Sequence, residues 1–368
     1  MEALSLQEME LKMFDETYEK LRKELTSFDD DELRDAKLWF DKVLQYNVPH
    51  GKKNRGLAVS QMFVLLASKN DLTEENIELS RIVGWCIEFM HANALIIDDI
   101  MDQSVTRRSR PCWYRQVNYI FLRFSITVYP KPNVGFMALN DAMLLRSAIY
   151  ETINKHCSGH PMQHKILDMF LVAYQNSEYG QCLDGLTTQE GSKPDFSLFT
   201  ASRYAAIVKY KTSLYSFDLP VRLAMYLAEI TDEKVHEKVT VILLRIGHLF
   251  QVQDDYLDCY GDPEVIGKIG TDIENGKCSW LAVEAFKRLN CEQKKIFTEN
   301  YGIETEDSVK IIKDIYNQLH LQNIFKEYEA KEFNEICKMI EEFEKTNGKE
   351  VNAQVFFKLL DWIYKREK

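Results

Sequence analysis

The chain has 368 residues, with 46 Lys and Arg against 57 Asp and Glu, for a net charge of −11. That balance excludes a general nucleic-acid surface, which needs a basic face, but not a small phosphorylated ligand met by local cations. Gly (15) and Pro (8) lie well below the average usage of about 7% and 5%, so the expectation is one large helical domain over residues 1–368.

From the start, Met1 to Leu25 carries Glu2, Glu8, Glu10, Asp15, Glu16 and Glu19. This is the opposite of an Arg-rich transit peptide, and no apolar stretch resembles a signal sequence or a membrane span. Helical periodicity follows in Leu38-Trp39-Phe40 with Val43-Leu44, then in Ile82 to Ile97, Ala142 to Ile153, His164 to Leu183, Val239 to Leu257 and Val355 to Ile363. The apolar faces are broad, as in helices packed inside a bundle. Breakers separate them at Pro49-His50-Gly51, Pro130 to Pro132, Ser158 to Pro161, Gly191 to Pro194 and Gly261-Asp262-Pro263. The predicted architecture is all-α, a single helical bundle with a central cavity. Eight scattered cysteines with no C-x-x-C spacing read as reduced thiols, which together with the acidic start predicts a cytoplasmic protein without stable membrane insertion.

Two D-D-x-x-D motifs stand out, Asp98-Asp99-Ile100-Met101-Asp102 and Asp254-Asp255-Tyr256-Leu257-Asp258. In a helix, residues i and i+4 share a face, so Asp98 with Asp102, and Asp254 with Asp258, can each aim a carboxylate pair at one spot. Such pairs suit Mg²⁺, which is usually held by one or two carboxylates plus substrate phosphates. A single copy in so acidic a chain is more often a solvated helix face. Two copies, each followed by cations, point instead to a diphosphate clamped through metal. The companions are Thr106-Arg107-Arg108-Ser109-Arg110-Pro111 after the first motif, and Gly267-Lys268-Ile269-Gly270-Thr271-Asp272 with Lys277 after the second. Farther off lie His50 to Gly56 and Lys209-Tyr210-Lys211-Thr212. Arg forks and Lys point charges both suit phosphate oxygens.

With these motifs, Asn54-Arg55-Gly56, Gly180-Gln181, Leu183-Asp184, Phe250-Gln251 and the run from Gly261 to Trp280, the chain resembles the trans-isoprenyl diphosphate synthases, and the farnesyl diphosphate synthases in particular. The resemblance extends from about Val48 to Tyr364-Lys365-Arg366. It implies a homodimeric, Mg²⁺-dependent prenyltransferase that condenses an allylic diphosphate with isopentenyl diphosphate to give farnesyl or geranylgeranyl diphosphate, with three Mg²⁺ ions per active site. Carried over by position, Asp98, Asp102 and Asp254 become direct Mg²⁺ ligands, supported by Asp99, Asp255 and Asp258. Arg107, Lys211, Gln251 and Lys268 would hold the allylic diphosphate, with Lys211, Thr212 and Gln251 steadying the cation. Gly51, Lys52, Arg55, His91, Arg108 and Arg366 would form the isopentenyl diphosphate pocket.

The chain departs from its relatives in three places. His91 stands where farnesyl-forming relatives carry Gln. Asn93 and Ala94 replace bulky aromatics at the floor of the hydrocarbon pocket, which predicts a deeper one unless neighbours refill the space. An aromatic, β-branched insertion spans about Val117 to Pro130, with Arg123 its one charge, and is expected to be tolerated rather than functional. The same departures are compatible with a terpene synthase that ionises and cyclises farnesyl diphosphate; a third reading, a non-catalytic partner subunit, would be indicated by loss of either Asp motif. Retention of both Asp motifs and of Lys52, Arg55, Arg108 and Arg366 favours the elongating enzyme.

Overall fold

The computed structural model describes residues 5–28, 31–116, 133–188, 193–266 and 270–363. The insertion at about 117–130 lies outside them. The expected all-α class is found: α1 (Leu6–Thr26), α2 (Arg34–Asn47), α3 (Asn54–Leu66), α4 (Glu74–Met101), α5 (Met137–His156), α6 (Gln163–Thr188), α7 (Ala201–Ile207), α8 (Leu219–Leu227), α9 (Glu233–Tyr260), α10 (Trp280–Phe286), α11 (Cys291–Asn300), α12 (Glu306–Gln318), α13 (Leu321–Asn347) and α14 (Gln354–Ile363). Among the described residues the only sheet is the ribbon of β1 (Thr106–Arg107) and β2 (Arg110–Pro111). The chain divides into two compact units, Met1–Met169 with Pro220–Ile230, and Phe170–Leu219 with Thr231–Lys368.

In the first unit, α1 opens with a capping box: the Ser5 side chain accepts from the Glu8 N–H while Glu8 accepts from the Ser5 N–H. Phe14, Tyr18, Leu21 and Leu25 follow at helical spacing and are all buried, each such side chain adding about 1.5–3 kcal/mol. Trp85 of α4 stacks on Phe14 with ring centroids 4.4 Å apart and donates its indole N–H to the Phe14 carbonyl at 2.6 Å. Helices α3 and α4 touch backbone to backbone: a Cβ on Gly84 would lie 2.4 Å from the Gly56 carbonyl oxygen. That approach lets the buried Glu88, one turn on, accept the Gly56 N–H at 2.8 Å. Helix α4 is capped by Thr73 and runs 28 residues, about 42 Å, delivering the first acidic motif at its end.

The core of the second unit is aromatic. Phe297 stacks on Tyr301 at 4.8 Å and Tyr256 on Phe325 at 3.9 Å, with Trp280 and Tyr316 buried beside them. Between α7 and α8 the chain forms an eleven-residue π-helix, Val208–Asp218. A π-helix is rare and is found mostly as single turns at functional sites, and this one carries Lys211 and Thr212. It packs on α9, the helix of the second acidic motif, where a Cβ on Gly247 would meet Ser213 Oγ at 2.6 Å.

Candidate active site

In the first unit the acidic motif divides its work. Asp98 is half-buried at the last turn of α4, and Asp102 is the C-cap, its N–H donating to the Asp98 carbonyl at 2.8 Å, so the two stay one turn apart. Asp99 is buried and turned to Arg107, whose Nε and Nη2 reach its Oδ1 at 3.0 and 2.6 Å. Arg107 Nη2 also lies 3.3 Å from Asp98 Oδ2. Burial alone would lower the guanidinium's pKa, but Asp99 and Asp98 outweigh it and hold the charge in place. Arg107 is thus braced by the motif it follows.

The brace is a tight hairpin. Thr106 pairs with Pro111 and Arg107 with Arg110, leaving the two-residue turn Arg108-Ser109, with φ of 53° and 58°. Two successive left-handed residues are the mark of a type I′ turn, usually filled by Asn-Gly. Here both residues carry side chains, at roughly 1–2 kcal/mol each, and the Arg108 side chain reaches the loop before α3. Gly51 in that loop has φ of 125°, and a Cβ there would lie 2.7 Å from Arg108 Nη2. Only glycine fits on both counts.

Near this contact the structure brings together Arg55, His91 and Arg108 of the sequence-predicted pocket residues. Burial is the main force lowering the His91 pKa well below the usual histidine value, and the charges of Arg55, Arg108 and Arg107 add to it. His91 is therefore neutral at pH 7, and one ring nitrogen remains a hydrogen-bond donor for phosphate. Burial pushes the Glu88 carboxyl up, opposed by the Gly56 N–H and by Arg55, Arg108 and Lys53. No sequence motif marks Glu88. Lys52 is exposed in the same loop, while its neighbour Lys53 pairs with Asp15 of α1 at 2.6 Å. His50, Asp99, Arg107, Arg108, Tyr46 and Trp113 line a crevice here. Asn93 is buried and donates its amide to the Ala142 carbonyl at 2.5 Å, whereas Ala94 is half-buried.

The second unit repeats the division. Asp254 and Asp258 are half-buried on α9, and Asp255 is buried, accepting from Gln251 Nε2 at 2.9 Å and from the Trp280 N–H at 2.7 Å. Burial, with Asp254 adding, pushes the Asp255 carboxyl up to about 7 against those two hydrogen bonds. The Thr212 hydroxyl donates to Gln251 Oε1 at 3.1 Å, so Thr212, Gln251 and Asp255 form one chain of hydrogen bonds. Asp258 Oδ2 accepts the Asp272 N–H at 3.0 Å, folding the loop after the motif back over it. Lys268 and Arg366 lie outside the described residues.

In the sequence Asp184 is marked only by the Leu183-Asp184 motif. It proves to be the anchor of the cationic side: its Oδ2 takes Lys211 Nζ at 2.6 Å and Lys277 Nζ at 3.0 Å. Burial raises its carboxyl, but the two lysines outweigh that and hold it well below the usual carboxylate range. The π-helix is set against α6 at the same place, since a Cβ on Gly180 would lie 2.1 Å from the Lys211 nitrogen.

The donor chemistry fits Mg²⁺. In each motif the second carboxylate is buried in protein hydrogen bonds, whereas Asp98, Asp102 and Asp254 are half-buried hard oxygen donors, and Asp258, also half-buried, gives one oxygen to the Asp272 N–H.

The polyprenyl synthetase family pattern matches residues 37–319. Farnesyl pyrophosphate synthase 2 of Cannabis sativa is 44% identical over 363 residues, 98% of this chain and 100% of that protein. Farnesyl pyrophosphate synthase of Gallus gallus is 41% identical, covering 92% of this chain and 86% of its own. Among solved structures, T. brucei farnesyl diphosphate synthase complexed with risedronate superposes with a TM-score of 0.84 at 31% identity, covering 98% of this chain and 100% of that one. On fold, motifs and likeness over nearly its whole length, the chain belongs to the polyprenyl synthetase family as a prenyltransferase of the farnesyl diphosphate synthase type.

Proposed function

We propose that the protein condenses an allylic diphosphate with isopentenyl diphosphate to make farnesyl diphosphate, using Mg²⁺ held by Asp98, Asp102 and Asp254. The observation that carries the reading is the pair of lysines drawn to one buried carboxylate, Lys211 and Lys277 on Asp184, beside a Thr212-Gln251 hydrogen bond. Bound Mg²⁺ would neutralise the charge that develops on the departing diphosphate. Lys211, Lys268 and Arg107 bind and orient the allylic diphosphate, and their fixed charges favour its departure. The oxygens of Thr212 and Gln251 face the developing allylic cation as dipoles that carry no nucleophilic charge. Gly51, Lys52, Arg55, His91, Arg108 and Arg366 hold isopentenyl diphosphate, whose double bond attacks the cation before a proton leaves. Asp99, Asp255 and Asp258 orient their neighbours.

The whole chain works as one catalytic domain, and we infer a homodimer. Phe136, just before α5, is 81% exposed and Met143 on α5 54%, while Leu171, Val172, Tyr179 and Leu186 leave an apolar stripe on α6, with Leu186 66% exposed. Apolar faces of this kind mark interfaces. No helix among the described residues is long and apolar enough to cross a membrane, and we assign the protein to the cytoplasm.

The test is Mg²⁺-dependent turnover with Asp98→Asn and Asp254→Asn. Each should lower kcat by about 10²–10³-fold and raise the Mg²⁺ concentration needed for half-maximal rate, as expected when a fixed electrostatic contact is lost. Unchanged Mg²⁺ dependence in both would refute the assignment.

A further inference from the structure

Asp141 of α5 belongs to neither acidic motif and is 0% exposed. Its oxygens are used separately: Oδ1 accepts the indole N–H of Trp39 at 2.7 Å and Oδ2 that of Trp113 at 2.8 Å. Among the described residues it has no ion pair. Burial pushes its carboxyl up, and the two indole bonds oppose that. A carboxylate buried among neutral donors is expensive to keep, and what it holds explains its position.

Trp113 directly follows the hairpin that carries Arg107 and Arg108, one residue beyond β2 and Cys112. Its ring lies 5.1 Å from Tyr46 and 5.8 Å from Trp39. Tyr46 donates its hydroxyl to the Pro111 carbonyl at 2.7 Å, and the Arg110 guanidinium lies 4.1 Å over the Tyr46 ring. The outgoing strand is thus gripped at Arg110, Pro111 and Trp113, and Asp141 anchors the last grip. Tyr46 and Trp113 share the walls of the crevice with Arg107 and Arg108. The residue after Asp141, Ala142, accepts the Asn93 amide, so the same turn of α5 is tied to α4 five residues before Asp98.

We propose that Asp141 is a positioning residue: through Trp113 it fixes the hairpin that presents Arg107 and Arg108 to the diphosphate substrates, with Trp39 satisfying its other oxygen. This rests on the reading of that hairpin as a diphosphate-binding element. Asp141→Asn cannot accept from both indoles, because one side-chain oxygen has become an amide donor. Trp113→Phe removes only the donor on the hairpin side, and Trp39→Phe only the other.

The experiment measures kcat and KM for isopentenyl diphosphate, together with its calorimetric binding in the absence of allylic substrate, on the full chain with saturating Mg²⁺. Asp141→Asn and Trp113→Phe should each raise KM and weaken binding by about tenfold, as small misplacements of binding groups do, with kcat much less affected. The double variant should be no worse than either single one, since both break the same link. In ¹⁵N-tryptophan-labelled protein, the indole N–H resonances of Trp39 and Trp113 should be the ones that move in Asp141→Asn. If Asp141→Asn does not fold, Trp113→Phe carries the same test. Folded Asp141→Asn or Trp113→Phe protein with wild-type KM and binding overturns the positioning role, as does a double variant whose losses add. A wild-type chain that binds no isopentenyl diphosphate overturns the reading beneath it as well.

Discussion

Replacing Asp184 with Asn keeps the side chain's size and removes the charge that gathers Lys211 and Lys277. Both ammonium groups sit within 3.0 Å of the same carboxylate oxygen, with the lysine side chains 26% and 15% exposed. Removing one partner of a fully buried pair costs about 3–5 kcal/mol. These lysines can partly rehydrate, so the expected loss is about 2 kcal/mol, or about 3 °C in Tm for a chain of this length. The catalytic effect should be larger. Lys211 rides on a π-helix and is held by Asp184 at 2.6 Å, and a misplacement on the order of 1 Å in a substrate-positioning group lowers rate about 10²-fold. The pH dependence has a definite sign. The Asp184 carboxyl is held below its unfolded value, so its contribution is complete above the unfolded pKa of about 4 and fades as pH falls below it. Thermal unfolding of both proteins should therefore show a constant gap from about pH 5 to 8 that narrows below about pH 4. A gap that widens in acid, or Asp184→Asn with wild-type kcat/KM, would refute the argument.

Three other perturbations follow from the geometry. Ser109→Gly relieves a left-handed residue with φ of 58° and should stabilise the protein by about 0.5–1 kcal/mol in denaturant unfolding; a destabilised variant would mean that the turn is held by its side chain. Gly180→Ala drives a methyl group to 2.1 Å from the Lys211 backbone nitrogen, and should cost about 1–3 kcal/mol together with most of the turnover, whereas a fully active variant would show that the π-helix need not keep its position. Excision of the insertion should be tolerated, because the Val134 N–H donates to the Gln116 carbonyl at 2.9 Å and the Gly135 N–H to the Tyr114 carbonyl at 2.8 Å. Bridging Gln116 to Asn133 with a few Gly and Ser residues should change stability by about 1 kcal/mol or less; loss of activity in that soluble variant would assign the insertion a function.

Much of the site was legible because its chemistry is written in short runs. The paired Asp motifs announce hard oxygen ligands by composition and i,i+4 spacing, and the cations follow them closely. The apolar stripe of α4 predicts a helix from Ile82 to Ile97, while the fold extends it to Glu74–Met101, since its polar first turn and the motif itself carry no stripe. Other features are long-range and leave no periodic trace. Asp184 meets its lysines across 27 and 93 residues, and Asp141 meets Trp39 across 102. The π-helix depends on i→i+5 hydrogen bonds, to which a 3.6-residue hydrophobic period is blind. The Arg108-Ser109 turn lacks the Asn-Gly signature, so its two left-handed residues leave no mark in the sequence. The different roles of the aspartates within each motif emerge only from burial: the second faces protein hydrogen bonds in both copies. Volume arithmetic at Asn93 and Ala94 did not foresee that Asn93 would bond to the α5 backbone.

The central claim is prenyl transfer, and product analysis tests it most directly. Purified protein with Mg²⁺ is incubated with geranyl diphosphate and isopentenyl diphosphate, and separately with farnesyl diphosphate alone, with the products identified by mass spectrometry. The account predicts farnesyl diphosphate in the first reaction, formed only when isopentenyl diphosphate is present, and no hydrocarbon in the second. A hydrocarbon or alcohol released from farnesyl diphosphate without the co-substrate, and no elongated diphosphate in the first reaction, would contradict it.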